Sequence, residues 1–206
     1  MAYESGIFDL GGVLIDWNPR YLYRKLFPGD PVGMERFLAE VCTPAWNLEL
    51  DRGRPFQEAI DELKVEHPDQ APLIQAYWDR WSEMLGPVDQ RVAALLRELR
   101  DGGVRLFSLS NWSAQTFSAT RGRVPELDLF DDILVSGEAG RVKPDPELFA
   151  LAIRRFGVAP GSTFYVDDVA VNVEGARQAG LTAIQFSGAQ DLRRDLARLG
   201  VLRSRF

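Results

Sequence analysis

One cysteine (Cys42) and one histidine (His67) stand in 206 residues. A lone cysteine excludes an internal disulfide and fits a reducing compartment. A lone histidine makes any Ser-His or His-metal scheme depend on His67, which adjoins Pro68 and reads as a surface or boundary residue. Basic charge is also short. With 24 Lys+Arg against 30 Asp+Glu the net charge is −6, so the chain lacks the footprint of a nucleic-acid binder. No apolar run approaches the roughly 18 residues of a membrane span. The opening MAYESGIF lacks a basic-then-apolar signal pattern. No internal repeat or low-complexity tract occurs. The expectation is a soluble, cytoplasmic protein with neither nucleic acid nor membrane as partner; oligomeric state is not legible.

What is present is a hydrophobic share of 46%, ordinary for a soluble domain with a real core. The length suits one medium domain or a domain carrying an insertion. Short β-prone runs end in polar or glycine-rich turns: Gly6 to Asp9, Val104 to Leu109, Ile133 to Val135 and Thr163 to Val166. Between the later runs, apolar residues recur at helical spacing. Val92, Leu95, Leu96 and Leu99 precede Asp101-Gly102-Gly103. Leu148, Phe149, Leu151, Ala152 and Phe156 precede Gly157, and Val173, Ala176 and Ala179 precede Gly180. Strands alternating with helices predict an α/β fold, a parallel sheet covered on both faces. Residues from about Trp17 to Gly86 break the alternation. They read as helices (Tyr21 to Phe27, Val32 to Val41, Pro55 to Val65, Leu73 to Leu85) with no convincing strand, and they hold four of the five tryptophans. The division expected is a core of residues 1–16 and 87–206 with a helical insertion at 17–86.

Ligands of open parallel sheets bind beyond the carboxyl ends of the strands. That rule singles out Asp9 with Gly11-Gly12, Ser110-Asn111 and Asp167-Asp168, with Lys143 close by in RVKPDP. Each alone has a plain alternative. Asp9 could be a turn or capping residue, Ser110-Asn111 an N-cap, and Lys143 a solvated charge. Adjacent carboxylates at a buried strand end repel one another, so Asp167-Asp168 points to a cation as readily as to a cap. The four clusters in order across one sheet favour a site.

In that order the sequence resembles the haloacid dehalogenase-like hydrolases over its whole length. Asp9 matches the first motif, Ser110 the second and Lys143 the third. Asp167-Asp168 with Asn172 match the fourth. The stretches LSNW, RVKPDPELF and VDDVAVNVEGA are similar to the branch holding small-sugar phosphatases and the N-terminal domain of soluble epoxide hydrolases. The resemblance implies a Rossmann-like doubly wound core, a helical cap, and Mg-dependent phosphatase action on a small phosphorylated metabolite. Asp9 would attack phosphorus and form an aspartyl phosphate. The Asp9 carboxylate, the Gly11 carbonyl and Asp168 would hold Mg²⁺, with Asp167 in reach. Ser110, Asn111 and the main chain at Gly11-Gly12 would bind phosphate, while Lys143 offsets charge on nucleophile and substrate.

One position departs from the family pattern. A second aspartate, two residues after the nucleophile, normally protonates the leaving alcohol and later activates water; here Gly11 stands there. Losing such help costs roughly 10²–10⁴-fold in rate. The rivals are a 2-haloacid dehalogenase, which would carry serines in place of Asp167-Asp168, and a non-catalytic phosphate-binding domain. Trp78 and Trp81 fit helical packing. Trp17, Asn18, Arg20 and Asp16, where the insertion joins the core, are as apt to line the crevice as not. Arg52 and Arg54 fit an exposed turn. Arg193, Arg194, Arg198, Arg203 and Arg205 suggest a solvated basic face.

Overall fold

The computed structural model describes residues 3–202, so Arg203 and Arg205 lie outside the described residues. The described residues form seven strands: β1 (Ser5–Phe8), β2 (Ile15–Trp17), β3 (Leu85–Val88), β4 (Arg105–Ser110), β5 (Asp132–Val135), β6 (Thr163–Asp167) and β7 (Thr182–Gln185). Five form a parallel sheet in the order β5-β4-β1-β6-β7. The chain thus builds outward from β1 in one direction and then returns to build the other half. This is a doubly wound sheet, whose switch point lies at the carboxyl ends of β1 and its two neighbours.

Side chains of successive strand residues enter different cores, as the pleat requires. Ile7, Phe107, Leu109 and Tyr165 pack against α9 (Pro146–Phe156) and α10 (Ala170–Gln178). Phe8, Leu106, Phe164 and Val166 face the opposite way, toward α6 (Gln90–Asp101) and α11 (Ala189–Arg198). Helix ends follow local chemistry. The Asp89 carboxylate accepts the Arg91 and Val92 N–H groups to start α6. Asp145 accepts the Glu147 N–H ahead of α9, where Pro146 takes the first helical position.

The remaining helices are α1 (Arg20–Leu26), α2 (Pro31–Glu40), α3 (Pro44–Asp51), α4 (Phe56–Glu66) and α5 (Ala71–Asp79), then α7 (Ala114–Arg121) and the single turn α8 (Ser136–Ala139). The first five form one helical segment between β2 and β3. The expectation of no strand in residues 17–86 fails at both ends. Trp17 closes β2 and Leu85 opens β3, and these two strands pair antiparallel as a ribbon joining the segment to the sheet. A continuous helix from Leu73 to Leu85 is also not found. It ends after Asp79, gives way to a 3₁₀ turn at Trp81–Met84, and passes into β3. Helix α3 went unread although Thr43-Pro44 marks its start: the Thr43 hydroxyl accepts the Trp46 N–H at 3.1 Å.

Candidate active site

Strand ends place the polar side chains. Asp9 follows β1 directly, and its N–H donates to the Val166 carbonyl at 2.8 Å, extending the ladder with β6 by one step. Ser110 and Asp167 are the last residues of β4 and β6. Their side chains converge. The Ser110 hydroxyl donates to Asp9 Oδ1 at 2.7 Å, and the Leu10 N–H donates to the same oxygen at 2.7 Å. Lys143 Nζ lies 2.8 Å from Asp9 Oδ2 and 2.7 Å from Asp167 Oδ2, and donates to the Leu109 carbonyl at 3.0 Å. The lysine is fully occupied and buried. Its position is fixed from outside by Asn111, whose Oδ1 accepts the Lys143 N–H at 2.8 Å and whose Nδ2 donates to the Lys143 carbonyl at 3.3 Å.

The charges follow from this packing. Burial pushes the Asp9 carboxyl up to about 6, with Lys143 pulling it down and Asp167 adding to the rise. Burial works against the Lys143 charge, but Asp9 and Asp167 outweigh it and hold the ammonium above its ordinary range. Asp167 stays below the ordinary carboxylate range despite burial, because Lys143, the Tyr165 hydroxyl and the Val169 N–H all face it. Asp168, partly exposed, is raised by burial and by the neighbouring Asp167 charge.

Asp9 and Asp168 line a cavity of about 280 Å³, while Lys143 and Asp167 lie buried behind it and are not among its lining residues. Asp9, Gly11, Gly12, Ser110, Asn111, Asp168 and Asn172 line it, with Trp17, Trp81 and Trp112 as aromatic walls. Trp81 packs on Trp112 with ring centroids 5.6 Å apart, so it belongs to the cavity wall as well as to the packing. Trp78 instead lies against Phe56, with centroids 4.6 Å apart. Of the junction residues, only Trp17 reaches this cavity. Arg20 is taken up by Glu35, and Asp16 accepts the Tyr21 hydroxyl. Two polar lining residues escaped the sequence reading, Asn47 and Asp51 of α3. Neither carries a local signal, because they lie on a helix that the apolar pattern does not reveal and only tertiary packing brings it to the cavity.

A family match agrees with this geometry. The haloacid dehalogenase-like hydrolase description matches residues 7–180. A phosphatase from Mycobacterium tuberculosis (strain CDC 1551 / Oshkosh) is 34% identical over 222 aligned residues, covering 98% of this chain and 97% of its own. The chain belongs to the haloacid dehalogenase-like hydrolases. This hydrolase is also 28% identical to a sesquiterpene phosphatase from Aspergillus oryzae, over 90% of this chain and 91% of that one. In fold it is similar to a haloacid dehalogenase family enzyme of Bacteroides thetaiotaomicron. Their TM-score is 0.74 at 22% identity, covering 95% of this chain and 99% of the other. That enzyme has also been solved with magnesium and inorganic phosphate.

The hydrolase's own donors fit a hard divalent cation. Oxygens of Asp9, Asp167 and Asp168 lie within 4.8 Å of one another, the ligand type such ions take. The three are not equally free. Asp167 Oδ2 accepts Lys143 and the Tyr165 hydroxyl, and its Oδ1 accepts the Val169 N–H and Asn172 Nδ2. Asp168 has no side-chain donor among the described residues, which leaves its lone pairs for a metal.

Proposed function

We propose that this hydrolase is a Mg²⁺-dependent phosphatase acting on a small phosphorylated metabolite through an aspartyl phosphate on Asp9. The observation that carries the reading is the buried Asp9 carboxylate, held by Ser110 and Lys143 at the floor of a cavity that Asp168 also lines. Asp9, the Gly11 carbonyl and Asp168 would hold Mg²⁺, which when bound offsets the negative charge of carboxylates and phosphate. Everything else is the work of the chain's own groups. The Ser110 hydroxyl and the Leu10 N–H fix the rotamer of Asp9, so its carboxylate meets phosphorus without searching conformations. Lys143 keeps Asp9 ionised against burial and places a positive charge where the phosphoryl oxygens gather. Asp167 and Asn111 serve by holding Lys143 from two sides. Residues 17–86 act as a cap over the core of 1–16 and 87–206, closing the cavity against water and giving it Trp17 and Trp81.

Relatives named as phosphatases support the reading over dehalogenation, as does the acidic pair, which suits a metal-assisted reaction where a dehalogenase would carry serines. The test is phosphate release from a panel of phosphomonoesters and 2-haloacids, with and without Mg²⁺, by wild type and Asp9→Asn. Wild type should release phosphate only with Mg²⁺, and the variant should lose at least about 10³-fold, since an amide is not a nucleophile. Halide release in excess chelator would make it a dehalogenase. Phosphate binding without release would make it a non-catalytic domain.

A further inference from the structure

Gly11 leaves this site with no side chain where the family pattern has an acid–base aspartate. A Cβ built at Gly11 meets no heavy atom within 4 Å, so nothing from elsewhere has moved into that space. Asp16, the next acid along the chain after Asp9, is engaged by Tyr21 and is not among the residues lining the cavity. One carboxyl besides Asp9 and Asp168 does line it: Asp51, brought from α3.

We propose that Asp51 supplies the proton the leaving group needs and then takes one from the attacking water. The assignment rests on the phosphatase reading above and adds the acid–base residue that reading lacks.

Asp51 is held from both the helical segment and the core. Its Oδ1 accepts the Ser113 N–H at 3.2 Å, and its Oδ2 accepts Asn47 Nδ2 at 2.9 Å. Asn47 is itself oriented by the Tyr77 hydroxyl, which donates to its Oδ1 at 2.7 Å. The Asp51 carbonyl accepts the buried Ser136 hydroxyl at 2.5 Å, and that hydroxyl accepts the Trp112 N–H at 2.9 Å. Each carboxyl oxygen thus uses one lone pair on a fixed donor and keeps another for a proton or a substrate oxygen. No Lys or Arg pairs with Asp51 among the described residues, so it is not a structural ion-pair acid.

The groups facing it suit proton transfer near neutrality. Burial is the main influence and pushes the carboxyl up to about 7. The Asp9 charge adds to this, while Lys143 and the two fixed donors oppose it. Tyr77, behind Asn47, is held well above the ordinary phenol range by burial and stays neutral. An acid poised near the working pH is what general catalysis favours.

The steps balance. Asp9 attacks phosphorus as the ester P–O bond breaks; its electron pair leaves on the alcohol oxygen, which takes the Asp51 proton. Ionised Asp51 then removes a proton from water as the water oxygen bonds to phosphorus. The P–O bond to Asp9 breaks, the carboxylate returns, and Asp51 is protonated again. The net change is ester plus water to alcohol plus phosphate.

The test compares Asp51→Asn with wild type on a primary alkyl phosphate and on 4-nitrophenyl phosphate, at saturating Mg²⁺. Nitrophenolate departs without a proton, so the variant should keep its pre-steady-state burst to within tenfold while phospho-Asp9 accumulates. Alkyl turnover should fall about 10²–10⁴-fold, and the alkaline limb of its pH profile near 7 should vanish. Adding Gly11→Asp to Asp51→Asn should recover at least tenfold of the alkyl turnover, which repair of a loosened segment would not do. Equal losses in burst and alkyl turnover would overturn the proposal, as would alkyl turnover within a few-fold of wild type. Wild type releasing phosphate from neither ester would instead bring down the phosphatase reading beneath it.

Discussion

At Gly12 two constraints meet. Its φ of +73° lies in the left-handed region, and a Cβ there would collide with the Asp168 carboxylate. An L side chain pays roughly 1–2 kcal/mol for that backbone alone. Gly12→Ala should therefore lose about that much stability and also push Asp168 aside. Displacing a supporting contact typically weakens metal binding about 10–100-fold, so a Mg²⁺ titration followed by melting temperature should shift by that factor; unchanged affinity would detach Asp168 from the metal. Asp51 permits a second prediction from charge. Burial pushes its folded carboxyl up to about 7 against an unfolded value of about 3.9. Between those values the native state binds the extra proton, so its contribution to stability is full below the lower value and declines as pH rises toward 7. Asp51→Asn should flatten that decline, making the variant relatively more stable at pH 8 than at pH 4 in paired denaturant melts.

The helical segment meets the sheet through few elements, and of helices α1 to α5 it is α3 whose residues line the cavity. Its carboxyl end abuts α8: Gly53, at φ +108°, passes so close to the Gly137 carbonyl that a Cβ would lie 3.0 Å from it. Ser136 joins the two, bonding the Asp51 carbonyl and the Trp112 N–H at once. Ser136→Ala leaves both unpaired, so about 1–3 kcal/mol of stability should be lost. The alkyl rate should fall with it as Asp51 loses its anchor, which urea melts and the ester assay would register together. None of this was legible in the sequence. Strand runs and the residues just after them are local signals, so Asp9, Ser110, Asp167 and Asp168 could be located, and the alternation predicted a parallel sheet. Asp51 sits in DRG, which reads as an exposed turn, and only tertiary packing turns its carboxyl into the cavity. The ribbon of β2 and β3 was hidden for a related reason: β2 has three residues, and β3 contains Gly86-Pro87, both residues that strands avoid. Strand β7 and helix α7 were also unread, the latter because AQTFSATR is mostly polar.

For the molecule as a whole, the proposed Mg²⁺ and the buried lysine would divide the acidic pair between them. Asp167 belongs to the fold, since it neutralises Lys143 where no water reaches either side chain. Asp168 would belong to the ligand, since burial and Asp167 oppose its charge more than Lys143 and its own N–H favour it. Breaking a buried ion pair by removing one partner typically costs about 3–5 kcal/mol, so Asp167→Asn should melt far below wild type even in chelator. Asp168→Asn removes a charge that its surroundings on balance disfavour and should melt at or slightly above wild type under the same conditions. Adding Mg²⁺ reverses the ranking of what is lost. A ligand at 100 times its Kd stabilises by about 2.7 kcal/mol, which for a chain of this length is a rise of roughly 5–10 °C. Wild type and Asp167→Asn should both show such a rise, and Asp168→Asn should show little or none. Differential scanning fluorimetry of the three proteins, with and without Mg²⁺, separates the two roles. A wild type indifferent to Mg²⁺, or an Asp167→Asn that loses the shift while Asp168→Asn keeps it, would reverse this division between the two aspartates.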